Sequence, residues 1–127
     1  MIKQVVAGLI FDGDKFLIAR RPMNKARGGL WEFVGGKVED NESHEEALKR
    51  EFSEELNLKI KVGDLFIKVR HTYPDIDIHL YLYYAEIVGG ELELKEHSEI
   101  KWITKEEIDG LEFCPADKDI LAKIKSI

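Results

Sequence analysis

The chain has 127 residues, 44% hydrophobic and 35% charged, with a net charge of −6 and a single cysteine. This describes one globular domain, spanning 1–127, with enough residues to bury a core of its own. The lone Cys114 excludes an internal disulfide and reads as a small buried hydrophobe beside Pro115. The acidic balance argues against a nucleic-acid polymer as partner, since such binders carry a basic surface that displaces counterions from phosphate.

No apolar run approaches the length of a bilayer span, and Met1-Ile-Lys-Gln lacks the pattern of a signal peptide. A cytoplasmic protein with no membrane partner is expected. The four histidines, His44, His71, His79 and His97, are scattered without ligand spacing, which argues against zinc.

In chain order, residues 5–11 and 15–20 are two apolar runs joined by Asp12-Gly13-Asp14, the pattern of a hairpin. Residues 22–30, with Gly28-Gly29, read as a loop, and 31–34 as a short strand entering Gly35-Gly36. A helix follows, with Ser43 as N-cap and Glu46 three residues on, a capping box. Leu48, Phe52 and Leu56 form its apolar stripe, beside its carboxylates and not opposite them.

Residues 59–72 are predicted as strand. Residues 78–88 carry apolar side chains on both faces, with Ile78, Leu80, Leu82 and Tyr84 on one and Tyr81, Tyr83, Ala85 and Ile87 on the other. That predicts a central strand covered on two sides. Short strands are expected at 91–94 and 100–103. Thr104 and Glu107 form a second capping box, and Pro115 opens a final amphipathic helix with Ile120, Leu121 and Ile124 inward. The fold class is α/β (α+β), a mixed sheet flanked by helices.

The chemistry is concentrated in Gly36-Lys-Val-Glu-Asp-Asn-Glu42 and, seven residues later, Arg50-Glu51-Phe52-Ser53-Glu54-Glu55-Leu56-Asn57-Leu58. Glu51, Glu54 and Glu55 stand at i, i+3 and i+4, so their carboxylates project from one side of a helix. Like charges so placed repel unless a cation lies over them, and hard divalent cations prefer clustered carboxylate oxygens. Glu45 and Glu46 read instead as a solvated face.

This segment resembles the Nudix box, G-x5-E-x7-R-E-U-x-E-E-x-G-U, at Gly36, Glu42, Arg50, Glu51, Glu54, Glu55 and Leu58. Phe52 fills the first U as a large aromatic residue. Asn57 stands where the family has glycine, a helix-closing place where asparagine also accepts left-handed geometry. The likeness extends to Ile18-Ala-Arg-Arg21, to residues 31–39 and to Phe113-Cys-Pro-Ala-Asp117, which are similar to the MutT branch.

The resemblance implies a Nudix fold, a mixed sheet sandwiched between helices, and Mg²⁺ or Mn²⁺ as cofactor. It implies hydrolysis of a (deoxy)nucleoside triphosphate to monophosphate and pyrophosphate by attack at the β-phosphorus, as in 8-oxo-dGTP diphosphatases, serving nucleotide-pool sanitation. Glu51, Glu54 and Glu55 would be metal ligands, with the Gly36 carbonyl and Glu96 completing the set. Arg50 would orient the glutamates and Glu42 would stabilise the loop and helix start.

Glu96 is favoured over Glu99 as the extra ligand or general base, and Glu51 is a further candidate base. Arg21 matches a nucleotide-contacting residue, and Lys37 stands equally well as a phosphate contact or an exposed lysine. Val34 replaces the branch's usual proline. Asp117 stands where 8-oxoguanine-selective bacterial enzymes have asparagine. Ionised, it would only accept hydrogen bonds, favouring a donor-rich edge such as a cytosine amino group or the N–H edge of guanine. What Arg21, Tyr81 and Asp117 touch when a nucleotide is bound would narrow the preferred base.

The substrate partner is thus a small nucleotide, and the protein a monomer or homodimer. Two other readings stand behind it: a nucleotide-sugar or dinucleotide pyrophosphatase, and a Nudix nucleotide-binding regulatory module without catalysis.

Overall fold

The computed structural model describes residues 2–127. Its organising element is β1 (Ile2–Asp12), which exchanges neighbours along one edge. The first half of that edge pairs antiparallel with β4 (Gly35–Lys37), Val6 opposite Gly36. Beyond it, Phe11 pairs with Phe16 of β2 (Lys15–Arg20) across the turn at Gly13. β2 continues into β3 (Trp31–Glu32) on one side and β7 (Glu99–Ile103) on the other. On its opposite edge β1 runs parallel with β6 (Asp77–Gly90), which pairs antiparallel with β5 (Leu58–Thr72). The seven-stranded sheet is therefore mixed, and it parts where β1 changes from β4 to β2.

Helix α1 (His44–Leu56) covers one face. Ser43 Oγ accepts from the Glu46 amide at 3.1 Å and Glu46 Oε1 accepts from the Ser43 amide at 3.0 Å, satisfying two orphan donors of the first turn. Ala47, Leu48, Phe52 and Leu56 bury against Val6, Ile10, Leu17 and Leu58. Asn57 ends the helix at φ +58, and its Nδ2 donates to the Glu91 carbonyl at 2.9 Å.

Helix α2 (Lys118–Lys125) covers the other face, with Ile120, Leu121 and Ile124 against Leu9, Phe16 and Leu82. β6 lies between two strands and contributes Leu80 and Leu82 to one core and Tyr81, Tyr83 and Ile87 to the other. The alternating apolar pattern thus serves two layers, although Tyr84 and Val88 near the strand's end are exposed.

Three segments differ from the sequence expectation. Residues 91–94 form no strand. The Glu93 amide donates to the Leu56 carbonyl at 2.9 Å and the Lys95 amide to the Glu55 carbonyl at 3.1 Å. The segment thereby satisfies terminal carbonyls of α1 that have no partner within the helix. β4 is a strand that two glycines concealed. Pro115 opens a 3-10 turn, Pro115–Asp117, before α2 begins at Lys118.

Candidate active site

A cleft of about 310 Å³ opens where the sheet parts, and it brings together residues from both faces. Gly36, Lys37 and Glu55 line it from the α1 side, whereas Cys114, Ala116 and Asp117 line it from the α2 side. Arg21, Arg27, Glu32 and Tyr73 complete the wall, over Ile78 and Leu80 of β6.

Glu55 is buried at 7% exposure, and its Oε2 has no hydrogen-bond partner among the described residues. Burial, reinforced by the charges of Glu51, Glu32 and Glu96, pushes its carboxyl up to about 9. Glu51 is also raised, by burial first, against the opposing effect of Arg50. A carboxylate so disfavoured by desolvation and by like charges is one that a cation would restore to its ionised form.

Gly36 adds a second observation. A Cβ there would stand 2.4 Å from the Glu51 carboxyl carbon and 2.6 Å from each of its oxygens, so only glycine lets the Glu51 carboxylate lie on the β4 backbone. The residues present therefore fit a divalent cation held by acid oxygens and a backbone carbonyl.

Among the described residues, however, no three acidic, histidine or cysteine side chains already converge at ligand spacing. Arg50 Nη1 donates to Glu51 Oε1 at 2.8 Å and to Glu54 Oε2 at 3.3 Å. Ionised carboxylates spaced one helical turn apart repel, and these two take the nearest guanidinium as counter-charge. Glu54 is 57% exposed and Glu96 is exposed, whereas Glu55 points inward.

Arg50 also donates from Nε and Nη2 to both oxygens of Glu42, at 2.7 and 3.0 Å, and to the Lys37 carbonyl at 3.0 Å. Those contacts, with the Glu39 amide bonded to Glu42 at 3.0 Å, hold the Glu42 carboxyl down at about 2. Arg50 thus ties β4 and the loop before α1 to the helix itself.

On the other side, Arg21 Nη1 donates to Glu32 at 3.1 and 3.3 Å, and its Nε to the Ala26 carbonyl at 2.8 Å. Burial alone would lower the Arg21 pKa, but the Glu32 charge and hydrogen bond leave it raised. Asp117 is buried with Oδ2 unpartnered, and burial followed by the nearby Glu32 charge raises its carboxyl well above the ordinary range. This alters the acceptor-only reading of Asp117. A carboxyl held toward its neutral form both donates and accepts, as asparagine does. Cys114, also raised by burial to about 12, is a buried apolar wall of the cleft.

Tyr81 lies on the α1 side of the sheet, 4.4 Å from His44 and 5.2 Å from Lys68, and does not line the cleft. Five residues with no role assigned from sequence do bear on it. Tyr73 accepts the Ala116 amide at 2.8 Å, which fixes the backbone next to Asp117. Arg27, at φ +58, lays its guanidinium 4.0 Å from the Tyr73 ring centroid and pairs with Asp75 at 2.9 Å. Glu32 accepts from Arg21 and meets His97 Nε2 at 3.0 Å. Glu32 lies within the 31–39 likeness, but the others carry no local signal.

Residues 6–123 match the model of the NUDIX domain family. The CTP pyrophosphohydrolase of Escherichia coli (strain K12) is 37% identical over 118 residues, covering 93% of this chain and 87% of that protein. The 8-oxo-dGTP diphosphatase of Proteus vulgaris is 40% identical over 95 residues, covering 74% and 85%. The crystal structure of the MutT protein from Methanosarcina mazei Go1 superposes with a TM-score of 0.88 at 27% identity, over 98% of this chain and 94% of that one. Box residues, cleft and overall likeness agree: the chain belongs to the NUDIX domain family and is a MutT-like hydrolase.

Proposed function

We propose that residues 1–127 form one Mg²⁺-dependent hydrolase domain that converts a (deoxy)nucleoside triphosphate to its monophosphate and pyrophosphate. The observation that carries this reading is a single cleft joining the buried, unpartnered Glu55 to the buried, unpartnered Asp117. One end has the chemistry for a cation on a polyphosphate and the other for a base edge. The names of the two relatives, a CTP pyrophosphohydrolase and an 8-oxo-dGTP diphosphatase, support a cytidine-type or oxidised purine nucleotide. Pool sanitation is the corresponding role, in the cytoplasm. Among the described residues no helix is long and apolar enough to cross a membrane. The substrate is a free nucleotide rather than a nucleic-acid polymer, and the protein acts as a monomer or homodimer.

When bound, Mg²⁺ (or Mn²⁺) neutralises phosphoryl oxygens and lowers the pKa of a water. Glu51, Glu54, Glu55, Glu96 and the Gly36 carbonyl would hold it. Water attacks the β-phosphorus, and the bond to the oxygen bridging the α- and β-phosphorus breaks, so that oxygen leaves with the monophosphate. The water's proton passes to a carboxylate, with Glu96 and Glu51 the candidates. Arg50 keeps Glu51 and Glu54 aligned through their shared guanidinium. Lys37 at the cleft mouth balances phosphate charge, Arg21 holds the nucleotide, and Asp117 reads the base through its donor and acceptor oxygens.

Pyrophosphate release from a panel of ordinary and oxidised nucleoside triphosphates with Mg²⁺ tests the reading. The wild type is expected to turn over at least one of them, and Glu54→Gln to lose on the order of 100-fold. Nucleotide binding without turnover by either protein would replace the enzyme with a binding module.

A further inference from the structure

The segment carrying Glu96 is stitched to the molecule at both ends by backbone. The Lys95 amide donates to the carbonyl of Glu55, and the Ser98 amide donates to the Arg20 carbonyl at 3.0 Å. Glu96 is exposed, and among the described residues no hydrogen bond or ion pair holds its side chain. Its neighbour His97 points the other way. The His97 side chain is only 3% exposed and places Nε2 3.0 Å from Glu32 Oε2.

A leucine would fill this position at less desolvation cost, so the buried imidazole calls for an explanation. Glu32 already accepts two contacts from Arg21, which marks it as a carboxylate able only to accept. The imidazole must then donate from Nε2, leaving Nδ1 as the buried unpartnered atom. The ring leaves Nδ1 without a partner among the described residues while it aims its one hydrogen bond at Glu32. That bond spans 65 positions of sequence and is the one side-chain hydrogen bond made by residues 95–97 among the described residues.

We propose that His97 is a positioning residue: its bond to Glu32 locks residues 95–98 so that Glu96 stays at the rim beside Glu51 and Glu55. The same Glu32 carboxylate holds Arg21, so one half-buried acid sets both the nucleotide-side cation and the metal-side loop. This deepens the hydrolase reading and rests on it for the role of Glu96.

The test compares wild type, His97→Leu and His97→Gln by three measurements. These are amide hydrogen exchange at residues 95–98 without metal, Mn²⁺ affinity, and kcat against KM for a nucleotide the wild type hydrolyses. The leucine variant is expected to lose exchange protection at Lys95 and Ser98 by about tenfold. Its Mn²⁺ affinity and kcat should each fall about 10-fold, with KM changed by less than about twofold. Glutamine, whose Nε2 can reach the same carboxylate, should recover most of each loss.

Wild-type exchange, affinity and kcat in His97→Leu would overturn the proposal, as would losses in His97→Gln as large as those in the leucine variant. If His97→Leu fails to fold, His97→Asn, polar but too short to reach Glu32, takes its place with the same expectations. If the wild type hydrolyses nothing, the hydrolase reading fails separately, and exchange at Lys95 and Ser98 still decides whether the tie exists.

Discussion

Glu42 and Arg50 meet in a two-point ion pair across eight residues, with Nε to Oε2 at 2.7 Å and Nη2 to Oε1 at 3.0 Å. The same guanidinium reaches Glu51, Glu54 and the Lys37 carbonyl. Lysine cannot make a planar fork of this kind. Arg50→Lys is therefore expected to retain the fold but lose roughly 10–100-fold in kcat, as steady-state assays would show. The Glu42 carboxyl, depressed to about 2, is charged in the folded protein well below its unfolded value of 4.5. Its contribution to stability is complete above pH 4.5 and is lost as pH falls toward 2. Glu42→Gln should accordingly flatten the acid limb of a melting-temperature profile.

Gly35 and Gly36 are neighbours with opposite expectations. The nearest atoms to a Cβ at Gly36 are the tip of the Glu51 side chain, which can swing aside. Gly36→Ala should fold with a melting temperature within a few degrees of wild type and lose at least about tenfold in activity. A Cβ at Gly35 would lie 1.9 Å from the Val6 carbonyl oxygen, inside the β1–β4 pairing. Gly35→Ala should destabilise the protein by more than about 2 kcal/mol, read by urea denaturation.

Asp117 gives a pH prediction of the opposite sign to Glu42. Its folded pKa lies well above the unfolded 3.8, with burial as the first cause. Its stabilising effect is full below pH 3.8 and is lost as pH rises toward the folded value. Asp117→Asn removes the titration while keeping a donor and an acceptor. The variant should be more stable than wild type at pH 8 by about 1–3 kcal/mol, with the difference vanishing near pH 4. Asp117→Ala, lacking both groups, should shift relative kcat/KM across a nucleotide panel by about tenfold or more. Unchanged base preference in that variant would remove Asp117 from recognition.

Asn57 tests the departure from the family's glycine. Its left-handed φ of +58 is tolerated partly because Nδ2 donates to the Glu91 carbonyl. Asn57→Gly relieves backbone strain but loses that bond, so stability should change by less than about 0.5 kcal/mol. Asn57→Ala loses the bond and keeps the strain, at about 1–2 kcal/mol. Chemical denaturation of the two variants checks both values.

Much of the fold is legible in the sequence because it follows from local chemistry. Ser43 and Glu46 announce the start of α1, and the two-faced pattern of 78–88 announces a strand between two layers. What escapes is non-local. Gly35 and Gly36 carry no side-chain pattern, so β4 is defined by what it lies against. Leu92 and Leu94 mimic a strand, but the amides that follow them, of Glu93 and Lys95, answer the unfilled carbonyls of α1.

In the site, the spacing of Glu51, Glu54 and Glu55 points to the proposed chemistry because it is set by helix geometry alone. It does not foretell that Arg50 claims two of them. Glu32 with His97, and Arg27 with Tyr73, are tens of residues apart, and no window along the chain places them together. The neutral tendency of Asp117 is equally hidden, since it arises from burial and not from residue type.

The change of partners along β1 has an evolutionary reading. Because the acids proposed to serve hydrolysis hang beneath one layer and the carboxyl proposed to read the base beneath the other, the two jobs share a crevice and are joined through Glu32. Selection could retune which nucleobase is admitted by repacking around Ala116 and Tyr73 while leaving the scissile machinery undisturbed. A scaffold divided in this way is well suited to producing many substrate preferences from one reaction.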